Sequence, residues 1–105
     1  MRTPYQPSRQ DIKLPSVLHA LSDPLRLKIV KGLSETTEQY CSPYLHLNIA
    51  KSTLSHHFKV LREAGVIKVR IEGTQHFYSL RTEDLEALFP GLLPSVLRVD
   101  EAHIE

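Results

Sequence analysis

Apolar residues recur at helical spacing through most of the chain, and the period changes once. From Asp11 they fall at Ile12, Leu14, Val17, Leu18 and Leu21, which lie on one face of a helix. Pro15 is compatible only with a first turn, so this helix begins near Leu14. A second helix opens at Ser22-Asp23-Pro24: Asp23 caps free backbone N–H groups, and Pro24 takes the first helical position, where no N–H is needed. Leu27, Ile29, Val30 and Leu33 form its buried stripe, with Arg26, Lys28 and Lys31 left in water. The polar stretch from Gly32 to Gln39 reads as a loop or a fraying helix end. Ser42-Pro43 repeats the cap-then-proline signal and predicts a short helix through about Leu47, followed by a turn at Asn48-Ile49-Ala50. Lys51 to Ala64 is the strongest helical segment, closed by Gly65.

After Gly65 the spacing becomes alternating. Ile67, Val69 and Ile71 share one face of a strand, and Lys68 and Arg70 the other. Glu72-Gly73-Thr74 makes the turn, with Gly73 able to take positive φ. Gln75 to Leu80 returns as a second strand carrying Phe77, Tyr78 and Leu80. Thr82, Glu83 and Asp84 open a further helix with Leu85, Leu88 and Phe89 as its apolar face, acids being suited to a first turn. Pro90-Gly91 breaks it, and a last short helix begins near Pro94 within Leu92 to Leu97. Residues 1–10, rich in proline and poor in apolar side chains, are expected to form a flexible arm ahead of a single domain at 11–105. The fold class is mainly α with a small β-hairpin.

Composition narrows the function. A chain of 105 residues with 41% hydrophobic and 24% charged residues is one ordinary globular domain. No apolar run approaches the roughly 20 residues that span a bilayer, and Met1 to Pro7 lacks the apolar stretch of a signal peptide, so a cytoplasmic location is expected. The single cysteine, Cys41, makes no internal disulfide and no zinc site from thiolates alone. No phosphate-binding Gly-rich loop, dinucleotide fingerprint or nucleophile elbow is present, which argues against an enzyme. The net charge of +1 conceals a division: residues 51–81 hold six Lys/Arg against Glu63 and Glu72, whereas residues 82–105 hold six acids against Arg98. A basic segment followed by an acidic one suggests two different tasks.

The basic segment also has geometry. Projected at 100° per residue, Leu54, Phe58 and Leu61 cluster on one face of the 51–64 helix. Ser52, His56, Lys59 and Glu63 fall opposite, with Thr53 and Ser55 at the margins. A short helix, a tight turn and a second helix with such an outer face describe a helix-turn-helix. Hydroxyls, an imidazole and an ammonium can enter a major groove, bond base edges and neutralise phosphates. The hairpin sets Lys68, Arg70, Gln75 and His76 beside that face as a wing. On these residues alone, a solvated amphipathic helix packed on a hairpin, and a winged-helix adaptor for protein contacts, remain alternatives to DNA binding. His57, beside the apolar stripe, is expected to be a hydrogen-bonded core histidine rather than a DNA contact.

Three motifs, Ala20-Leu21-Ser22-Asp23-Pro24-Leu25-Arg26-Leu27-Lys28-Ile29-Val30, the run from Ser52 to Ile67, and Glu72-Gly73 with Phe77-Tyr78-Ser79-Leu80, resemble the ArsR/SmtB family. The resemblance covers about Val17 to Leu85. It implies a winged helix-turn-helix repressor that binds operators as a homodimer, with dimerisation helices at both ends of the domain. Two-fold symmetry then implies a palindromic site with half-sites about one helical turn apart. By position, the resemblance assigns Lys51, Ser52, Thr53, Ser55, His56 and Lys59, with Arg70 and Gln75 of the wing, to double-stranded DNA. Lys51 stands where many relatives have Gln.

Members of the family usually release DNA when an effector binds, often a metal ion. In one frequent metal site the cysteine pair corresponds to Gln39 and Cys41, with Tyr44 at a further thiol position; in the other, the ligand positions hold Thr82, Asp84, Ser95 and Arg98. Neither is a ligand set for a soft or borderline metal, and no cofactor is expected. Cys41, just ahead of Ser42-Pro43, is left with two readings: a thiol sensor activated by a helix dipole, or a small buried hydrophobe. A composite metal site from Cys41, His46 and a partner-chain histidine is a third.

Overall fold

The computed structural model describes residues 4–35, 39–40 and 49–104. Among them are five α-helices, α1 (Leu14–Ala20), α2 (Pro24–Ser34), α3 (Lys51–Ala64), α4 (Thr82–Leu88) and α5 (Leu92–Leu97). Three strands accompany them, β1 (Gln39–Tyr40), β2 (Ile67–Glu72) and β3 (Gln75–Leu80). The strands form one antiparallel sheet in the order β1-β3-β2. The signals read from the sequence place the helix boundaries well. Asp23 Oδ1 accepts from the N–H groups of Leu25 (2.8 Å) and Arg26 (3.1 Å), capping α2. Gly65 ends α3 at φ 88°, with Val66 N–H donating to Leu61 O and Gly65 N–H to Arg62 O, the paired bonds of a Schellman turn. A side chain at Gly65 would also meet Ile12, whose Cγ1 lies 2.5 Å from where a Cβ would stand.

Several expectations are corrected. β1 was expected to be loop: two residues are too few to carry a period, and the strand exists only because β3 offers it an open edge. α5 starts at Leu92, ahead of Pro94, because Gly91 adopts φ 85° and turns the chain there. The apolar stripe of α1 is divided: Val17 and Ala20 are fully buried, whereas Leu14 and Leu18 are 40% and 49% exposed. Arg26, expected in water, is buried at 7% exposure because its side chain reaches back to the Ala20 carbonyl at the end of α1. The predicted helix between Ser42 and Leu47 lies outside the described residues, as do Cys41, Tyr44 and His46.

In the structure, residues of the N-terminal arm lie against the body. The Gln6 side-chain amide donates to Val69 O (3.2 Å) and accepts from Val69 N–H (2.8 Å). It thus imitates a neighbouring strand along the outer edge of β2. Tyr5 O accepts from Arg62 Nε (3.0 Å), and Pro7 O from Arg81 Nη1 (2.6 Å). Arg9 Nε pairs with Asp84 at 2.7 Å, and Arg81 grips the other oxygen of the same carboxylate. The arm's own contacts span 57 to 75 positions in the chain, so no local pattern announces them. At the other end, Lys31 Nζ donates to Val99 O (3.2 Å), tying the C-terminal segment to α2.

The core gathers the inner faces of α2, α3 and the hairpin, with Ile29, Leu33, Leu54, Phe58, Leu61 and Ile67 almost wholly removed from water. Phe58 is its pivot: its ring lies 4.3 Å from that of Tyr78, fastening the middle of α3 to the middle of β3.

Candidate nucleic-acid interface

The polar side of α3 is where the sequence pattern put it. Lys51, Ser52, Thr53, Ser55, His56, Lys59 and Glu63 are all exposed, while Leu54, Phe58 and Leu61 are 1%, 2% and 0% exposed. With the apolar stripe at i, i+4, i+7 facing the core, these seven positions are turned outward. From Lys51 to Lys59 the helix rises about 12 Å, a length suited to a major groove. Its N-cap, Ala50, has no side chain to occupy the first-turn N–H groups. The positive end of the helix dipole therefore adds to the charge of Lys51.

The hairpin is organised differently. Register pairs Lys68 with Ser79, Arg70 with Phe77 and Glu72 with Gln75, so these residues share the outer face. His76 pairs with Ile71 and lies on the opposite face, where its ring comes 6.4 Å from Tyr78. The wing set of four is thus split: Lys68, Arg70 and Gln75 stay together and His76 leaves them. Arg70 is also engaged: its guanidinium sits 4.6 Å above the centre of the Phe77 ring and pairs with Glu72.

Beneath the exposed face, His57 is half-buried, with Nδ1 3.1 Å from Arg26 Nη1. The sequence-based expectation of a hydrogen bond holds, at the core margin rather than within the core. Burial holds the imidazole below its ordinary pKa; the nearby Asp23 carboxylate opposes this, and the charges of Arg26 and His56 add to it. Burial also acts to raise the Asp23 carboxyl, but the N–H groups of Arg26 and Leu25, with His57 and the Arg26 charge, leave it below the usual range. The signal for Arg26 was in the sequence: Arg26, Val30 and Leu33 have the i, i+4, i+7 spacing of a buried stripe. Gln6 and Phe77 had no comparable signal.

Among the described residues, no group of three or more His, Cys, Asp or Glu side chains comes together as a metal site. None of the described helices is long and apolar enough to cross a membrane.

Comparison with known proteins agrees with this architecture. The profile of the family described as bacterial regulatory protein, arsR family, matches residues 23–69, from the α2 cap into the hairpin. The chain is 36% identical over 80 residues to the arsenical resistance operon repressor of Staphylococcus xylosus, covering 76% of this chain and 77% of that one. It is 38% identical over 74 residues to the transcriptional repressor SdpR of Bacillus subtilis, covering 68% and 79%. Among solved structures, the transcriptional repressor BigR from Xylella fastidiosa superposes with a TM-score of 0.58 at 29% identity, over 79% of this chain and 97% of that one. The transcriptional repressor PagR of Bacillus anthracis gives a TM-score of 0.58 at 27% identity, over 70% and 85%. The winged-helix fold and these relationships together make the chain a member of the ArsR family of DNA-binding transcriptional regulators, which are not enzymes.

Proposed function

We propose that this protein is a cytoplasmic homodimeric repressor that reads a palindromic duplex operator with the exposed face of α3. Lys51, Ser52, Thr53, Ser55, His56 and Lys59 enter the major groove, and Arg70 and Gln75 of the hairpin reach the flanking backbone. The observation that carries this reading is the separation of α3 into a buried apolar stripe and a continuous polar, partly basic outer face. The relatives described as repressors support the direction of control. Leu14 and Leu18, large apolar groups left exposed on α1, support a dimer formed through that helix. Release from DNA by thiol modification at Cys41 belongs to the same proposal and rests on the sequence position of that residue ahead of Ser42-Pro43.

Selection of genomic DNA fragments on the purified protein, with and without peroxide, tests the reading. A recovered palindrome bound far more tightly than random duplex, with affinity falling steeply as salt rises, is the expected result. Equal binding to all fragments removes the operator, and no binding favours a protein-contact adaptor. Light scattering should give twice the 12.0 kDa of one chain. Peroxide should weaken binding by wild type and spare Cys41→Ser; equal responses remove the thiol sensor.

A further inference from the structure

Arg26 is a buried cation whose hydrogen-bond partners are neutral. Its Nε donates to Ala20 O (2.7 Å), Nη2 reaches His19 O (3.4 Å), and Nη1 meets Nδ1 of His57 at 3.1 Å. One side chain of α2 therefore joins the last turn of α1 to the middle of α3. A guanidinium has only donors and keeps its charge throughout the accessible pH range, so at this contact the imidazole must accept. Nδ1 carries the lone pair, and the single proton of the neutral ring is on Nε2. A protonated ring has N–H on both nitrogens. It would turn a donor toward a donor and set two cations against each other.

The groups acting on His57 are Asp23 and Arg26 from α2 and His56 from α3 itself. From α1 come the carbonyls that fix Arg26, while β2, also packed on α3, turns Lys68 and Arg70 outward to solvent. His57 stands between His56 and Lys59 in the chain, so the attachment point lies directly behind the groups that face outward.

Building on the reading of α3 as the DNA-contacting helix, we propose that Arg26 is its positioning residue. It acts through the Nδ1 lone pair of His57, so a proton arriving at His57 detaches α3 from α1 and α2 and weakens discrimination of operator from other DNA. Neither residue touches DNA. Protonation of exposed histidines such as His56 adds positive charge and favours all duplexes, so the diagnostic quantity is the operator-to-random affinity ratio rather than affinity itself.

The test measures that ratio by fluorescence anisotropy at constant ionic strength, using the duplex recovered by fragment selection and a random duplex of equal length. In wild type it should fall about tenfold as pH drops from about 7.5 to about 4.5, with the fall lying below the ordinary imidazole value of about 6.5, the loss of one charge-assisted hydrogen bond. His57→Asn, whose Oδ1 can accept in place of Nδ1 and does not titrate, should hold its ratio across the range. Arg26→Lys, which keeps the charge and loses the fork, should show a reduced ratio at both ends. Nitrogen NMR of the DNA-free wild type should give the Nε2–H tautomer, with His57 protonation and loss of the ratio following the same pH curve. Parallel pH profiles for wild type and His57→Asn, an Nδ1–H tautomer, or separate curves for protonation and discrimination would each overturn the proposal without touching the repressor reading. A wild-type protein that prefers no duplex at the higher pH overturns the repressor reading, and the coupling with it.

Discussion

The two surfaces that this winged helix turns outward follow opposite plans. On α3 the outward groups are small hydroxyls, an imidazole and an ammonium, exposed along one helix face. On the hairpin, Arg70 is already engaged by the Phe77 ring and the Glu72 carboxylate. A group that begins in water exchanges only water for DNA, whereas a group that begins in an ion pair must first give up its partner. Under the proposed function, the formal charge of the hairpin therefore overstates its contribution to binding, and discrimination is assigned to α3.

The largest effect should come from removing what the two surfaces share. Phe58 packs under α3 and against Tyr78 of the hairpin, so Phe58→Ala should cost about 3–5 kcal/mol in urea unfolding and loosen both together. Loss of order in α3 alone, with the hairpin intact by NMR, would break their mechanical connection. Within α3, Ser52→Ala and His56→Ala should relax base preference by roughly 1–3 kcal/mol at a base contact, and Lys59→Ala should weaken every duplex alike and lower the salt slope by about one. Equal losses on operator and random DNA for all three would reduce the face to phosphate binding. On the hairpin, Glu72→Gln should release Arg70 and raise affinity for all duplexes by up to about 1 kcal/mol; a decrease would mean that the pair orients the arginine.

The smallest effect concerns the docked arm. Hydrogen bonding from Arg9 lowers the Asp84 carboxyl below its usual value; burial opposes that, and Arg81 adds to it. A depressed carboxyl contributes stability above its unfolded pKa and loses it as pH falls through the folded one. The arm should therefore loosen only in acid, below about pH 4. Amide exchange of residues 5–9 at neutral and acid pH measures this, and Asp84→Asn should reproduce the acid state at neutral pH.

How far the molecule was legible depended on the range of each interaction. Asp23 and Pro24 started α2, Gly65 ended α3, and the change from helical to alternating period marked the hairpin; each signal acts within a few residues. The exposed set on α3 followed from the same local rule. The hairpin set was only partly legible, because alternation separates His76 from Arg70 once the register is known.

What the amino-acid order determined by itself was therefore the helices, the hairpin and the two faces of α3, because capping, turn chemistry and apolar period are properties of neighbouring residues. Tertiary structure decided which partners the long polar side chains found. Arg26 left water because the end of α1 offered it carbonyls, Gln6 found the open edge of β2, and Arg70 found Phe77 across the hairpin. A polar side chain is directed by whichever unsatisfied partner the folded chain brings within reach, and that partner is named only when distant segments meet.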